Sequence, residues 1–167
     1  MKKKAIQYCR TWAGPLSLAL LLAACAAPPS PPEAPPKPKA PSCQAAAEGD
    51  ALIGNWLNVR TQRGVVGELR TLFSLNADGT MAYTEQLKRG KKPSQGLAET
   101  GCWHRENQKL VLRTLQSNGA DVDIDDPIYV NTYTVTGTQK DRITLRRDQD
   151  GVAMPARRMS PGYRLPF

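Results

Sequence analysis

Four cysteines and a single histidine are the residues of this chain best suited to metal binding or nucleophilic chemistry. Cys43, Cys102 and His104 stand at a spacing that matches no zinc-ligand template. His104 follows Trp103 in an alternating segment, so its side chain is expected on the opposite, exposed face, and no motif directs a carboxylate or nucleophile toward it. No G-x-S-x-G, H-E-x-x-H or phosphate-loop motif is present. We therefore expect no enzymatic activity, no bound metal and no cofactor.

An acidic run, DVDIDD at residues 121–126, resembles the start of a calcium-binding loop. An EF-hand would need glycine at position 126 and glutamate at position 132, where this chain has Asp126 and Thr132. We expect a solvated loop whose charges discourage pairing with another sheet edge. A looser oxygen site is the alternative.

The N-terminus has the pattern of a secretion signal. Four basic residues within positions 2–10 precede an apolar run over 12–24, which is shorter than the roughly 20 residues of a membrane-spanning helix. The run closes with Leu22-Ala23-Ala24-Cys25, which resembles the lipobox of bacterial lipoproteins. The resemblance implies that residues 1–24 are removed and that Cys25 carries the lipid that anchors the protein to a membrane. Ala26 in the next position implies the outer membrane, with the protein facing the periplasm.

A proline-rich segment follows, with eight prolines in residues 26–42. Such a segment favours polyproline II and acts as a semi-rigid spacer, although a ligand for a proline-recognising module is an alternative. The chain is thus divided into a signal peptide (1–24), a lipidated cysteine with its linker (25–43) and one folded domain (44–167).

The cysteines and the net charge limit the classes of partner that we expect for this protein. Cys9 leaves with the signal, so Cys43 and Cys102 remain in an oxidising compartment, where we expect a disulfide rather than free or intermolecular thiols. Removing residues 1–24 takes away four cationic residues and lowers the net charge from +8 to +4. A mildly basic envelope protein is not expected to bind nucleic acid.

The folded domain is predicted to be all-β. Short segments of alternating polarity, rich in Thr, Val and Tyr, are separated by turn residues, which is typical of consecutive antiparallel strands. The segments are 54–60, 66–76, 80–88, 99–106, 109–116, 128–137, 142–147 and 153–159. We predict a small antiparallel meander barrel of about eight strands, with a β-sandwich as the alternative, because closure removes exposed strand edges.

Three short motifs carry a second resemblance. Gly54-Asn55-Trp56, the NADGT turn at 76–80 and Gly101-Cys102-Trp103 resemble bacterial lipocalin-like domains of the wider calycin group. The resemblance implies that Trp56 closes one end of the barrel and that Arg157 or Arg158 packs on it. The interior of so short a barrel is either a ligand cavity or filled by side chains.

Two basic segments are candidates for contact with a partner. The loop KRGKKPSQG, residues 88–96, contains Lys88, Arg89, Lys91 and Lys92, which could contact lipid phosphates or an acidic protein surface. The C-terminal tail contains Tyr163 and Arg164 and either docks on a partner or closes its own barrel.

Taken together, these features favour a non-catalytic protein-interaction module: an inhibitor, an immunity protein or an accessory to envelope assembly. The alternative is a lipocalin-like protein that binds a small apolar ligand or an envelope lipid. The inward side chains distinguish the two, because a ligand barrel leaves volume inside whereas a filled barrel has large side chains that meet at its axis.

Overall fold

The computed structural model of the protein describes residues 42–90 and 92–166. The predictions for the signal peptide, Cys25, the linker as far as residue 41 and Lys91 therefore lie outside the described residues. The strands are β1 (Gly54–Arg60), β2 (Glu68–Leu75), β3 (Thr80–Arg89), β4 (Lys92–Glu106), β5 (Lys109–Ser117), β6 (Ala120–Asp121), β7 (Val130–Thr138), β8 (Arg142–Arg147) and β9 (Ala153–Met159). A short 3-10 helix, Pro127–Tyr129, precedes β7.

Eight of these strands form a closed antiparallel barrel. Consecutive strands pair from β1 to β5, β5 pairs with β7, and the pairing continues through β8 to β9, which returns to β1 with Trp56 opposite Arg158. The two-residue strand β6 folds back on the end of β5. The predicted all-β meander barrel of about eight strands is confirmed, and the sandwich alternative is wrong.

The interior is built by residues at alternate positions, because successive side chains of a strand point to opposite faces of the sheet. On β3, Met81 and Tyr83 point inward, and on β8 Ile143 and Leu145 do so. The main core consists of Leu52, Trp56, Phe73, Leu75, Met81, Tyr83, Trp103, Leu110, Leu112, Tyr133, Ile143, Leu145, Met154 and Ala156. Large side chains therefore fill this part of the barrel.

Aromatic rings from three strands meet inside the barrel. The ring centroid of Phe73 on β2 lies 5.3 Å from that of Tyr83 on β3 and 5.5 Å from that of Tyr133 on β7, and both contacts are edge-to-face. Edge-to-face pairs are a favourable arrangement for aromatic quadrupoles. Since β7 is not adjacent to β2 in the barrel, these rings bridge its width and occupy its axis.

A second, smaller cluster lies outside the barrel. Leu57 and Leu72 face outward from β1 and β2, and Leu165 covers them, with Met159 and Tyr163 at its border. The C-terminal tail, residues 160–166, is therefore held against the outer surface of its own barrel. Its main-chain carbonyls accept hydrogen bonds from two side chains: Ser160 from Asn55 Nδ2 at 3.0 Å and Pro166 from Gln86 Nε2 at 2.6 Å.

Two local predictions are wrong. The loop at 88–96 is mostly strand, because β3 and β4 continue their pairing to Arg89 and Lys92 and turn tightly at Gly90, whose φ is 56°. Ile128 and Tyr129 belong to the 3-10 helix, since Asp126 caps it by accepting a hydrogen bond from the Ile128 N–H. Within the described residues, no helix is both long and apolar enough to span a bilayer.

Candidate binding site at the polar end of the barrel

The two ends of the barrel differ in chemistry. The closed end is the end occupied by Leu52, Trp56 and Trp103, which are almost fully buried. The indole Nε1 of Trp56 donates to the carbonyl of Leu52 at 2.7 Å, and that of Trp103 donates to the carbonyl of Asn76 at 2.8 Å. Both tryptophans thus bury a large ring while their single polar atom is hydrogen-bonded.

Arg158 covers Trp56 from outside. Its guanidinium carbon lies 4.0 Å from the centroid of the indole ring, a cation–π geometry. The same side chain donates to the carbonyls of Ile53, Ala51 and Lys140 at 2.8, 3.1 and 2.9 Å. Of the two arginines that the lipocalin resemblance offers, Arg158 is the one on Trp56.

The glycine of the G-x-W motif leaves room for this arrangement. Gly54 has a φ of 136°, which L side chains rarely adopt, and a Cβ there would lie 2.4 Å from Nη1 of Arg158. Arg157, the neighbouring candidate, is exposed on the opposite face of β9 and lines an outer groove of about 460 Å³ beside Val59 and Pro155.

A disulfide fixes the chain to the closed end. Cys43 and Cys102 are joined, with Cα atoms 5.2 Å apart and 59 positions between them in sequence, so the predicted pairing is confirmed. The N–H of Ala46 also donates to the carbonyl of Ala77, in the β2–β3 turn, at 2.9 Å. The chain therefore enters the barrel at the closed end.

The opposite end, here called the polar end, has charged and hydroxyl side chains inside the barrel. Its inward groups are Arg60, Thr71, Tyr83, Glu85, Glu99, Thr114, Tyr133 and Arg147. They continue the same inward positions that carry apolar side chains nearer the closed end. On β3, for example, Met81 and Tyr83 are followed by Glu85.

Glu85 is the centre of one hydrogen-bond network. Its Oε2 accepts from Thr71 Oγ1 at 3.1 Å and from Tyr83 OH at 2.9 Å, and Arg60 Nη2 lies 3.7 Å away. Arg60 Nη1 also donates to Thr71 Oγ1 at 3.2 Å and to Asn58 Oδ1 at 3.3 Å. The negative charge of Glu85 is thus balanced by Arg60.

Glu99, on β4, is the second inward carboxylate. Its Oε2 accepts from Thr114 Oγ1 at 3.2 Å. Partial burial, and secondarily the negative charge of Glu85, raise the pKa of Glu99, although the Thr114 hydrogen bond opposes this. No ion pair joins Glu99 to a cation within the part of the chain that the structure describes.

Two tyrosines form the floor beneath these carboxylates. Burial raises the pKa of Tyr133 to about 12 and the pKa of Tyr83 further still. Both hydroxyls are therefore protonated at neutral pH. The hydroxyl of Tyr83 donates to Glu85, whereas that of Tyr133 makes no hydrogen bond with any described residue.

The second inward cation of the polar end, Arg147, forms its ion pair at the rim of the barrel. Arg147 on β8 donates from Nε and Nη2 to the two carboxylate oxygens of Asp150 at 2.9 and 2.6 Å. This bidentate contact holds the pKa of Asp150 down to about 2. Arg147 is thus neutralised from the β8–β9 loop and not by the inward carboxylates.

The loops around the polar end expose apolar side chains. Val66, in the β1–β2 loop, is 82% exposed, and Ile128, in the segment before β7, is 71% exposed. The basic Lys88 and Arg89 at the end of β3 and the acidic residues 121–126 belong to the same end. This rim therefore carries exposed apolar side chains together with basic residues in the β3–β4 hairpin and an acidic segment before β7.

The other predicted contact residues lie elsewhere. Tyr163 and Arg164 line a cleft of about 680 Å³ between the tail and the outer face of the barrel, together with Leu72 and Met159. His104 is exposed on the outer face of β4, as alternation predicts. Among the described residues, no group of three or more His, Cys, Asp or Glu side chains is placed to hold a metal ion.

No protein-family model matches the chain, and no curated protein is significantly similar to it in sequence. The closed eight-stranded antiparallel barrel is consistent with the lipocalin-like resemblance at the level of architecture. The lipobox lies outside the described residues.

Proposed function

We propose that this chain is an outer-membrane lipoprotein, anchored through Cys25 and facing the periplasm, that acts as a non-catalytic protein-interaction module. Its interaction surface is the rim of the polar end. The partner is another envelope protein, which the chain inhibits, neutralises or helps to assemble.

The observation that supports this proposal is the filled interior. Phe73, Tyr83 and Tyr133 occupy the barrel axis, and the ring centroid of Phe73 lies 5.3 Å from that of Tyr83 and 5.5 Å from that of Tyr133. An apolar ligand within the barrel would have to displace these rings, and closely packed interiors resist such rearrangement. A filled barrel favours recognition by its surface over transport of a small molecule in a cavity.

The chain enters the barrel at the closed end, and this favours the polar end as the interaction surface. Cys43 is bonded to Cys102 beside the closed end, so a tether that extends from Cys25 through the proline-rich linker would attach there. The polar end lies at the opposite end of the barrel from this attachment point. The exposed Val66 and Ile128 on its rim supply apolar area of the kind that interfaces bury.

Site-specific photo-crosslinking in the intact envelope tests the proposal. Benzoylphenylalanine replaces Val66 or Ile128 at the polar end, and Gln108, exposed in the β4–β5 turn of the closed end, is the matched control position. We expect one protein adduct of defined mass from the two rim positions and none from position 108. Adducts from position 108 alone, or from no position, would contradict the proposal.

The outer cleft favours a second candidate, the binding of a small apolar ligand or envelope lipid. The cleft of about 680 Å³ between the tail and the outer face has apolar walls at Leu72, Ala82 and Met159. Native mass spectrometry of the full chain distinguishes this candidate. A retained mass of a few hundred daltons that is lost when the tail is deleted after Met159 would favour it over the interaction role.

A further inference from the structure

We propose that the polar end contains a binding site for a primary ammonium group, with the Glu99 carboxylate as counter-ion and the Tyr133 hydroxyl as a second contact. The inference deepens the proposed interaction function and rests on it for the source of the ammonium group, a lysine side chain of the partner protein.

The first argument is charge balance within the polar end. Arg60 lies beside Glu85, and Arg147 is held by both oxygens of Asp150. Within the described residues, Glu99 is left with a single neutral donor, the Thr114 hydroxyl at 3.2 Å. A half-buried carboxylate without a cationic partner carries a desolvation cost that a bound cation would offset.

The second argument is an unused hydroxyl. Tyr133 is only 2% exposed, yet its OH makes no hydrogen bond with any described residue. Every fully buried side-chain nitrogen or oxygen in the described residues has a partner, so this oxygen still reaches solvent. Tyr133 lies opposite Arg147 in the pairing of β7 with β8, and its ring packs on Phe73, which also contacts Tyr83. The Tyr83 hydroxyl donates to Glu85, so Tyr133 belongs to the polar end.

The hydrogen-bond acceptors of the site that have no donor indicate which class of ligand it binds. Glu85 and Glu99 each use Oε2 in their side-chain hydrogen bonds, and their Oε1 atoms make none within the described residues. These two carboxylate oxygens and the Tyr133 oxygen are hydrogen-bond acceptors, and an ammonium group, with three N–H donors and no acceptor, is the ligand chemistry that complements them.

Two other ligand classes fit less well. A divalent metal needs more ligands than the site offers, and the described residues contain no group of three or more His, Cys, Asp or Glu side chains that could hold one. An anion would meet the uncompensated Glu99, and Arg147, a cation that could attract it, is already neutralised by Asp150. An organic cation is the class that remains.

A chemical-shift titration of the full chain tests this site with three probes of similar size. Butylammonium chloride carries the ammonium group, butan-1-ol is its neutral counterpart and sodium butyrate its anionic one. We expect butylammonium alone to shift resonances of Glu99 and Tyr133, with an affinity at least tenfold above that for butan-1-ol. Equal binding of butan-1-ol, preferential binding of butyrate, or no binding of butylammonium would overturn the inference.

Matched variants locate the site. Glu99→Gln should weaken butylammonium binding at least tenfold and Tyr133→Phe severalfold, whereas Glu106→Gln, an exposed glutamate at the other end of the same strand, should leave it unchanged. Near-ultraviolet circular dichroism checks that each variant is folded, and Tyr133→Phe preserves the test if Glu99→Gln does not fold. A loss in Glu106→Gln equal to that in Glu99→Gln would contradict the site.

A second comparison identifies the source of the ammonium group. Acetyl-Gly-Lys-Gly-amide should bind at least as tightly as butylammonium, and the same peptide with norleucine should not bind. Tighter binding of the free amine than of the lysine peptide would overturn the assignment to a protein side chain. The crosslinks from Val66 and Ile128 do not depend on Glu99, so the two experiments are independent. Crosslinks without butylammonium binding would overturn the ammonium site alone, and butylammonium binding without crosslinks would overturn the proposed interaction surface alone.

Discussion

The closed end and the polar end are both formed by inward-facing residues of the same strands, but the two ends stabilise the barrel to different extents. At the closed end, Trp56 and Trp103 are buried with their indole nitrogens hydrogen-bonded, and Arg158 seals the outside. At the polar end, Glu99 lacks an ionic partner and the Tyr133 hydroxyl lacks a hydrogen bond among the described residues. The closed end thus buries groups whose polar atoms are hydrogen-bonded, whereas the polar end retains polar groups without such partners among the described residues.

The energetic reason lies in burial. Apolar side chains lose contact with water without needing partners, so the closed end gains free energy from each ring that it covers. A carboxylate inside a barrel instead loses hydration, and this cost must be offset by a cation or by hydrogen-bond donors. A carboxylate without such partners lowers the stability of the fold. Proteins commonly accept such a loss where binding requires it.

Removal of the disulfide should produce the largest effect, because it releases the entry segment from the closed end. The bond between Cys43 and Cys102 spans 59 positions, and closing a loop of that length stabilises a fold by about 4 kcal/mol in the chain-entropy account. We expect the double variant Cys43→Ala/Cys102→Ala to lose a free energy of unfolding of this size in urea denaturation. Addition of reductant should lower the stability of the wild type but not of the variant; equal stability of the two oxidised proteins would contradict the assigned role.

Substitution of Arg158 should lower the free energy of unfolding by a smaller amount, and the neighbouring Arg157 provides a matched control. Arg158→Gln removes the cation over Trp56 and weakens the contacts with the carbonyls of Ala51, Ile53 and Lys140, so the free energy of unfolding should fall by about 1–2 kcal/mol. Arg157→Gln changes an exposed neighbour and should stay within about 0.5 kcal/mol of the wild type. Thermal or urea unfolding measures both, and equal losses would show that the closed end does not depend on the arginine over the indole.

Sequence patterns predicted the barrel well because inward and outward positions alternate wherever one face is apolar. The strands Gly54–Arg60, Arg142–Arg147 and Ala153–Met159 have the bounds that alternation indicates. The hairpin around Gly90 was missed, since the sequence KRGKK at 88–92 has no apolar alternation and main-chain pairing alone extends the strands.

The candidate site was missed for the same reason. On β3 the inward Glu85 stands between Thr84 and Gln86, so composition gives no sign of which side chain enters the barrel. Continuing the register of Met81 and Tyr83 by two positions would have placed Glu85 inside. For Glu99 even that extrapolation is unsafe, because the pairing of β4 with β5 shifts between Thr100 and Gly101.

The most direct test of the contrast between the two ends is the free energy of unfolding of Glu99→Gln, compared with the wild type from pH 4 to pH 7. The pKa of Glu99 is raised in the fold above its usual value of 4.5, so the folded state binds the proton more tightly than the unfolded chain does. The stabilisation provided by protonated Glu99 is therefore complete below 4.5 and is lost as the pH rises through the raised pKa.

At pH 7 the variant should be as stable as the wild type or more stable, and its advantage should shrink toward pH 4. This result would mean that the Glu99 charge is retained at a cost to the fold and is available for binding. A variant less stable than the wild type by more than about 1 kcal/mol at pH 7 would contradict the account, because Glu99 would then support the barrel as Arg158 does at the closed end.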